Sequence, residues 1–190
     1  MTNAKSREQG NTIFTIGHGA RSEAEFHEVL RGAEIGMLAD VRRYPSSRRH
    51  PHFARDALAK NLPRIGIAYE WWGEALGGRR KMVDTSRNRH VSWRNHSFRA
   101  YAGYMETPVF RVALEALAEQ ARTTRIAVMC AETLWWRCHR RLIADALVAG
   151  GYQVIHLGLG KEQRHHLSEE CRIDQNGQLV YDASPGHLSG

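Results

Sequence analysis

Short apolar runs alternate with stretches of helical periodicity along most of the chain, and this alternation limits the folds available to it. Five runs have the length and composition of strands, at residues 12–16, 37–41, 65–71, 126–130 and 153–157. Apolar residues at helical spacing lie between them. Parallel strands joined through helices are covered on both faces. The pattern therefore predicts an α/β fold in a single domain, with a mostly parallel sheet of about five strands and helices on both faces.

Local signals mark the helix starts and one turn. Ser22 followed by Glu25 has the pattern of a capping box, and Thr107 followed by Pro108 is typical of a helix start. Further helices are expected over about 54–62, 98–105, 108–122 and 137–149. The dipeptide Asn176-Gly177 lies between two β-prone runs and predicts a C-terminal hairpin over 171–181.

A chain of 190 residues suits one domain. We expect a flexible N-terminus over 1–11, an α/β domain over 12–160 and a C-terminal extension over 161–190 that carries the hairpin. Within the domain, residues 73–97 show no convincing periodicity and predict a long basic loop. Loops of such length are often functional.

Positive charge is concentrated in residues 42–99. This segment holds fourteen Lys and Arg against four Asp and Glu, a surplus of ten, whereas the whole chain has a net charge of +7. Such a field favours an anionic partner, either DNA or RNA or a phosphorylated metabolite, although a solvated basic surface produces the same pattern. Nothing in the sequence predicts an oligomeric state.

The apolar runs are a few residues long, far below the roughly 20 residues that cross a bilayer, and the N-terminus is polar. We therefore expect a cytoplasmic protein that has no membrane partner. Its three cysteines cannot all pair within one chain, which favours reduced thiols over a disulfide framework.

Polar side chains follow three of the predicted strands. His18 comes after the first strand, Asp40 and Arg42 stand at the end of the second, and Cys130 and Glu132 follow the fourth. The carboxyl ends of parallel strands meet at one edge of a sheet, where ligands bind. A shared pocket is therefore expected, and the alternatives are a structural ion pair between Asp40 and Arg42 and a turn-capping role for His18.

Cys130 has three interpretations. Close to His139 and several arginines at a helix start, it would be a nucleophile, because an electropositive site lowers the pKa of a thiol. Together with Cys138 and His139 it would be a metal ligand. However, seven residues separate the two cysteines, not the two to four of a zinc knuckle, and no metal site is predicted. The third interpretation is a buried structural thiol.

The sequence contains two sets of candidate site residues. The candidate catalytic residues are Cys130, Glu132, His139, Asp40 and His18. The candidate residues for binding substrate or phosphate are Arg42, Arg43, Ser47, Arg48, Arg137, Arg140, Tyr69 and Trp71. Guanidinium groups bind phosphate, and aromatic rings stack on bases.

The sequence has no Walker A loop and no Gly-x-Gly-x-x-Gly after a strand, so the cofactor is left unknown.

Several spaced motifs resemble a known family. They are Thr15-Ile-Gly-His18, Asp40-Val-Arg42 with Pro45 and Ser47-Arg48, Gly66-Ile-Ala-Tyr69, Leu76-Gly-Gly78, Cys130-Ala-Glu132 and Cys138-His-Arg140. In this order, and over about Thr12 to Leu157, the chain resembles the bacterial domain-of-unknown-function family 488. Gly19 stands where that family usually has Ser. The resemblance implies a compact α/β fold with a shared polar site and implies no established reaction.

A weaker likeness links the strand–Cys130–loop–Arg137–helix arrangement to rhodanese and to cysteine-based phosphatases, but six residues separate Cys130 from Arg137 where those proteins have five. Three functions follow from the sequence. The first is an enzyme acting on nucleic acid or a nucleotide-like anionic substrate. The alternatives are a thiol-dependent small-molecule enzyme of the rhodanese or phosphatase type and a non-catalytic nucleic-acid-binding module.

Overall fold

A computed structural model describes residues 11–82 and 89–183. Most of the predicted flexible N-terminus, part of the predicted long loop and the last seven residues lie outside these ranges. The strands are β1 (Thr12–Gly17), β2 (Met37–Asp40), β3 (Ala68–Trp71), β4 (Ile126–Cys130), β5 (Gln153–His156), β6 (Gln163–Arg164), β7 (Cys171–Ile173) and β8 (Leu179–Tyr181). The helices are α1 (Glu23–Gly32), α2 (Arg55–Asn61), α3 (Gly73–Leu76), α4 (His96–Met105), α5 (Pro108–Gln120) and α6 (Arg140–Ala149).

The main sheet has six strands in the order β3-β2-β4-β1-β5-β6. The first five are parallel, and the two-residue strand β6 runs antiparallel to β5. β7 and β8 form a separate antiparallel pair. The α/β class, the mostly parallel sheet and the C-terminal hairpin are confirmed; the sheet gains a sixth strand because the chain after β5 turns back along its edge.

Helices cover both faces of the sheet. Phe26 and Leu30 of α1 and Leu58 of α2 pack on one face, and α4, α5 and α6 pack on the other through residues such as Tyr101 and Leu142. β4 is buried along its whole length, as expected for a central strand between two helical layers. The connections after β2 and β4 lead to opposite faces, which opens a crevice beyond the carboxyl ends of these neighbouring strands.

The two helix N-caps that the sequence predicts are present in the structure. Ser22 caps α1, with both hydrogen bonds of the capping box to Glu25 present. The Thr107 hydroxyl caps α5 by accepting from the Phe110 amide at 3.4 Å, with Pro108 at the first helical position. Such caps satisfy backbone N–H groups that have no partner within the helix.

Two segments differ from the expectation. The third strand begins at Ala68, not Ile65, because Pro63–Ile65 form a 3-10 turn and Gly66 has a left-handed φ of 79°. The predicted long loop contains the helical turn α3 and the first residues of α4.

A buried hydrogen-bond chain ties the C-terminal extension to the domain. The Asp145 carboxylate, on α6, lies 3.0 Å from Nε2 of His165 and accepts from the Tyr181 hydroxyl at 3.0 Å. His165 bonds His156 at 3.0 Å, and His156 bonds Thr15 at 2.6 Å. All five side chains are buried. In the described part of the chain, no helix has the length and apolarity needed to cross a membrane.

Candidate functional site

A pocket of about 620 Å³ lies at the carboxyl ends of β2 and β4. Cys130, Cys138 and His139 border its inner part, whereas Arg43, Arg79 and Arg137 contribute to its walls. This is the edge at which the sequence places the polar strand-end residues, and it is the usual position of ligand sites in open α/β sheets.

The segment after β4 folds so that Cys130 and Cys138 approach each other despite their separation along the chain. Residues Trp135–Arg137 form a 3-10 turn, and His139 is the N-cap of α6. The two sulfur atoms and a ring nitrogen of His139 lie within 4.8 Å of one another. The fold therefore brings the two cysteines and His139 together, although seven residues separate the cysteines in the sequence.

His139 has a defined orientation. Its Nε2 lies 3.1 Å from the carbonyl oxygen of Val41. A carbonyl oxygen only accepts, so Nε2 carries the hydrogen, and burial lowers the pKa of His139 and favours the neutral ring. Nδ1 is then unprotonated, and it lies 3.9 Å from the sulfur of Cys130.

The two thiols are electrostatically distinct. A hydrogen bond from Cys138, the charge of Arg140 and the backbone N–H groups of Glu132 and Ala131 lower the pKa of Cys130 to about 6, against the opposing effect of burial. Burial raises the pKa of Cys138. The pair therefore holds one negative charge more readily than two isolated thiols would.

Arg140 lies beneath this group and does not border the pocket. Its side chain is 1% exposed. The guanidinium donates to the carbonyl oxygens of Glu132 and Thr133, and Nε and the backbone amide donate to the sulfur of Cys138 at 3.2 and 3.4 Å. Arg140 therefore fixes the turn between β4 and α6, and its buried positive charge acts on the two thiols.

Asp40 is also buried and does not border the pocket. Its carboxylate accepts from the backbone amide of Arg42 at 3.0 Å, from two nitrogens of the Arg42 guanidinium, Nε and Nη2, at 2.9 and 2.6 Å, and from the Tyr69 hydroxyl at 2.8 Å. All of its strong hydrogen-bonding directions are occupied, which is the arrangement of a structural ion pair. Arg42 does border the pocket, so Asp40 positions a residue of the pocket wall.

His18 completes this network from β1. It stacks on Phe53 at 4.2 Å, its Nδ1 donates to the Gly19 carbonyl at 2.9 Å, and Arg42 donates to its Nε2 at 3.3 Å. Burial, followed by the charge of Arg42, lowers the pKa of His18 to about 4. The neutral ring therefore supports Arg42 and lies behind the pocket wall.

The outer wall carries the accessible charges. Arg137 and Arg79 are exposed, and Arg43 is half-buried and donates to the Glu74 carbonyl at 2.8 Å. Glu132 is exposed at the same opening and carries the one carboxylate on the described pocket lining. Three guanidinium groups against one carboxylate leave this opening positive.

The other candidates lie further out. The Ser47 hydroxyl accepts from the His50 amide at 2.9 Å, and Arg48 is exposed. Trp71 donates to the Arg42 carbonyl at 2.9 Å and lies under Arg55. None of these three residues, and neither Asp40 nor Tyr69, borders the pocket.

The sequence did not predict several of the pocket residues, among them Arg79, Gly78 and Tyr101. Tyr101 of α4 borders the pocket, its ring lies 5.2 Å from that of His139, and its hydroxyl donates to the Leu76 carbonyl at 2.6 Å. Gly78 lies beside His139: a Cβ there would stand 3.1 Å from Nδ1. The Leu76-Gly-Gly78 motif could have indicated Gly78 as a site residue. Nothing in the sequence distinguishes Tyr101 from an ordinary core residue.

The fold and the site define an α/β protein with a basic pocket whose inner part contains two thiols and an imidazole. The model of the family described as Domain of unknown function DUF488 matches residues 22–147, and the chain belongs to this family. Comparisons with curated proteins and with solved structures gave no match.

Proposed function

We propose that the protein is an enzyme that acts on an anionic molecule of about the size of one nucleotide. The observation that carries this proposal is the presence of reactive groups and accessible guanidinium groups in one pocket. Its volume of about 620 Å³ falls within the roughly 300 to 1,000 Å³ of small-molecule sites.

The charge distribution supports an anionic ligand. Asp40 compensates the charge of Arg42 at a distance of 2.6 Å. Arg42 therefore forms part of the pocket wall but adds little net charge to it. Arg43, Arg79 and Arg137 supply the accessible positive charge. Guanidinium groups bind phosphate and carboxylate oxygens in bidentate geometry, which is the geometry that a phosphorylated ligand offers.

Two of the reactive groups lie deeper in the pocket than the arginines, and the third lies at the opening beside them. Cys130 and His139 border the inner pocket, and Glu132 faces the opening. A carboxylate beside bound substrate can transfer a proton during the reaction. We assign proton transfer to Glu132 and the reacting centre to the group around Cys130, with Asp40 and His18 positioning Arg42.

Ligand binding tests the first half of the proposal. Isothermal titration with nucleoside 5′-monophosphates and the matching nucleosides should show a preference of about 10-fold or more for the phosphorylated forms, because hydrogen bonds to charged groups contribute about 1.5 to 3 kcal/mol. Arg137→Gln should remove most of this preference. Arg172→Gln is the matched control, because Arg172 is exposed on the hairpin and pairs with Asp182 at 2.7 Å.

Turnover tests the second half. Wild-type protein incubated with phosphorylated metabolites and nucleotides, followed by mass spectrometry, should convert one of them, and Glu132→Gln should bind that compound while converting it far more slowly. Equal binding of nucleosides and monophosphates would refute the anionic ligand. Tight binding of single-stranded oligonucleotides without chemical change would favour the nucleic-acid-binding alternative, with an affinity that falls steeply with salt.

A further inference from the structure

We propose that Cys130, Cys138 and His139 bind one Zn²⁺ ion, with the fourth coordination position open to the pocket. Binding of the ion does not depend on the proposed function, whereas any part it takes in the reaction rests on that function.

The positions of the three side chains suit a tetrahedral site. All three ligand atoms lie within 4.8 Å of one another, and the sulfur of Cys130 is 3.9 Å from Nδ1 of His139. Zinc bonds of about 2.3 Å to sulfur and about 2.0 Å to nitrogen give a tetrahedral sulfur–nitrogen edge of roughly 3.5 Å. Small side-chain rotations therefore bring the ligands to bonding distance.

His139 is oriented as a metal-binding imidazole. The carbonyl oxygen of Val41 accepts from Nε2 at 3.1 Å, which leaves Nδ1 with a free lone pair on the side of the cysteines. Metal-binding histidines commonly donate their second N–H to a carbonyl or carboxylate, and this bond fixes the tautomer and the ring orientation. At 3.9 Å, the contact of Nδ1 with Cys130 is too long for a strong hydrogen bond but suits two ligands of one ion.

Hydrogen-bond donors surround both sulfur atoms. Cys138 accepts from the backbone amide and Nε of Arg140 at 3.4 and 3.2 Å, and Cys130 accepts from the backbone amides of Ala131 and Glu132. Such donors stabilise thiolates. Two thiolates neutralise one Zn²⁺, so the metal allows both cysteines to be ionised in a buried group where, without it, their charges would repel.

The fourth side of the site is open. Gly78 lies next to Nδ1 of His139, where a Cβ would stand at 3.1 Å, so the glycine leaves room beside the ligand. All three ligands border the pocket. Two thiolates and one imidazole with an open position form the ligand set of a catalytic rather than a structural zinc site, and the soft sulfur ligands disfavour Mg²⁺ and Ca²⁺.

Cobalt substitution of the full chain tests the proposal. Protein that is stripped with a chelator and kept reduced should bind one Co²⁺ per chain, with a thiolate-to-cobalt charge-transfer band and the visible bands of a tetrahedral site, and Zn²⁺ should displace it. Cys138→Ser should lose about half of the charge-transfer intensity, because one of the two thiolates remains, and weaken binding by at least the roughly 10- to 100-fold that loss of an outer-shell partner costs. Cys171→Ser, the matched control outside the pocket, should bind as the wild type does.

Thiol protection in the wild type provides a second measurement, in case Cys138→Ser does not fold. Bound Zn²⁺ should slow alkylation of Cys130 and Cys138, mapped by peptide mass, and leave the rate at Cys171 unchanged. Absence of Co²⁺ and Zn²⁺ binding by the wild type, or binding that is unaffected by Cys138→Ser, or equal protection of all three cysteines would overturn the proposal. Anion binding measured in chelator distinguishes this failure from that of the proposed function.

Discussion

Replacement of Asp40 by Asn should destabilise the fold strongly, because Asp40 compensates a buried charge. Asp40 is fully buried and Arg42 is 6% exposed. Asparagine keeps the volume and one acceptor but leaves the guanidinium of Arg42 without its counter-charge. Removal of one partner from a buried ion pair costs about 3 to 5 kcal/mol.

The size of this effect can be measured by thermal and urea unfolding, followed by circular dichroism. For a chain of this length, each kcal/mol lowers the Tm by about 2 to 4 °C, so the Tm should fall by roughly 6 to 20 °C. Asp56→Asn makes the same chemical change at an exposed position in the first turn of α2, and it should cost no more than about 1 kcal/mol.

A double variant tests the cause. If the cost comes from the uncompensated charge, Arg42→Met in the Asp40→Asn background should recover part of the lost stability, because no lone charge remains. Charge compensation by Asp40 is refuted if Asp40→Asn is within about 1 kcal/mol of Asp56→Asn in stability, or if Arg42→Met adds its full cost to the double variant. Either result would return Asp40 to the list of candidate catalytic groups.

Two further predictions concern the residues at the end of β1. The pKa of His18 is lowered from 6.5 to about 4, so the unfolded chain takes up the proton first. The contribution of His18 to stability should be full above pH 6.5 and fall by about 3 kcal/mol towards pH 4. Burial lowers the pKa of His90 and His156 as well, so His18→Gln should remove only this part of the pH dependence in urea titrations. A Cβ at Gly17 would lie 2.0 Å from the Glu132 carbonyl oxygen, so Gly17→Ala should cost about 3 kcal/mol and weaken binding of monophosphates. Gly66 has a positive φ, and a Cβ there would meet no atom within 4 Å. Gly66→Ala should therefore cost about 1 to 2 kcal/mol and leave binding of monophosphates unchanged. Equal binding by the two variants would contradict the role of Gly17.

The parts of the fold that were predictable rest on local signals. The bonds between Ser22 and Glu25 lie within four residues, so the pattern predicts α1 without knowledge of the rest of the chain. The core strands carry their apolar residues in continuous runs, and their order along the chain determines the class. These features involve neighbouring residues or a repeated pattern, which a single sequence displays directly.

The unpredicted turn α3 depends on distant partners. Tyr101 and Tyr104 of α4 donate to the carbonyl oxygens of Leu76 and Ala75 at 2.6 and 2.8 Å, and Arg43 donates to that of Glu74. A four-residue helix has too few internal bonds to be favoured by itself. Its conformation is stabilised by side chains that lie 25 to 31 residues away in the sequence.

The candidate site shows the same division. The edge at which the polar residues meet follows from strand order and was predictable. The direction of each side chain was not, because it depends on partners from other elements: Asp40 turns to Tyr69 and Arg42, and Arg140 turns to the carbonyl oxygens after β4. The two cysteines meet because a strand-to-helix turn reverses the chain, so their sequence separation did not limit their distance in space.

The motifs at the ends of β1 and β4 act as one structural unit. The His18 amide donates to the Cys130 carbonyl at 3.0 Å, and the Gly19 amide donates to the Ala131 carbonyl at 3.0 Å, so these bonds extend the strand pairing beyond β4. Gly17 leaves room for the Glu132 carbonyl and for the Arg140 guanidinium that donates to it. The sulfur of Cys130 is thereby placed by backbone contacts from β1 and by a guanidinium from α6. Contacts from these two elements fix the position of the thiols before a ligand enters, which is the preorganisation that binding and catalytic sites require.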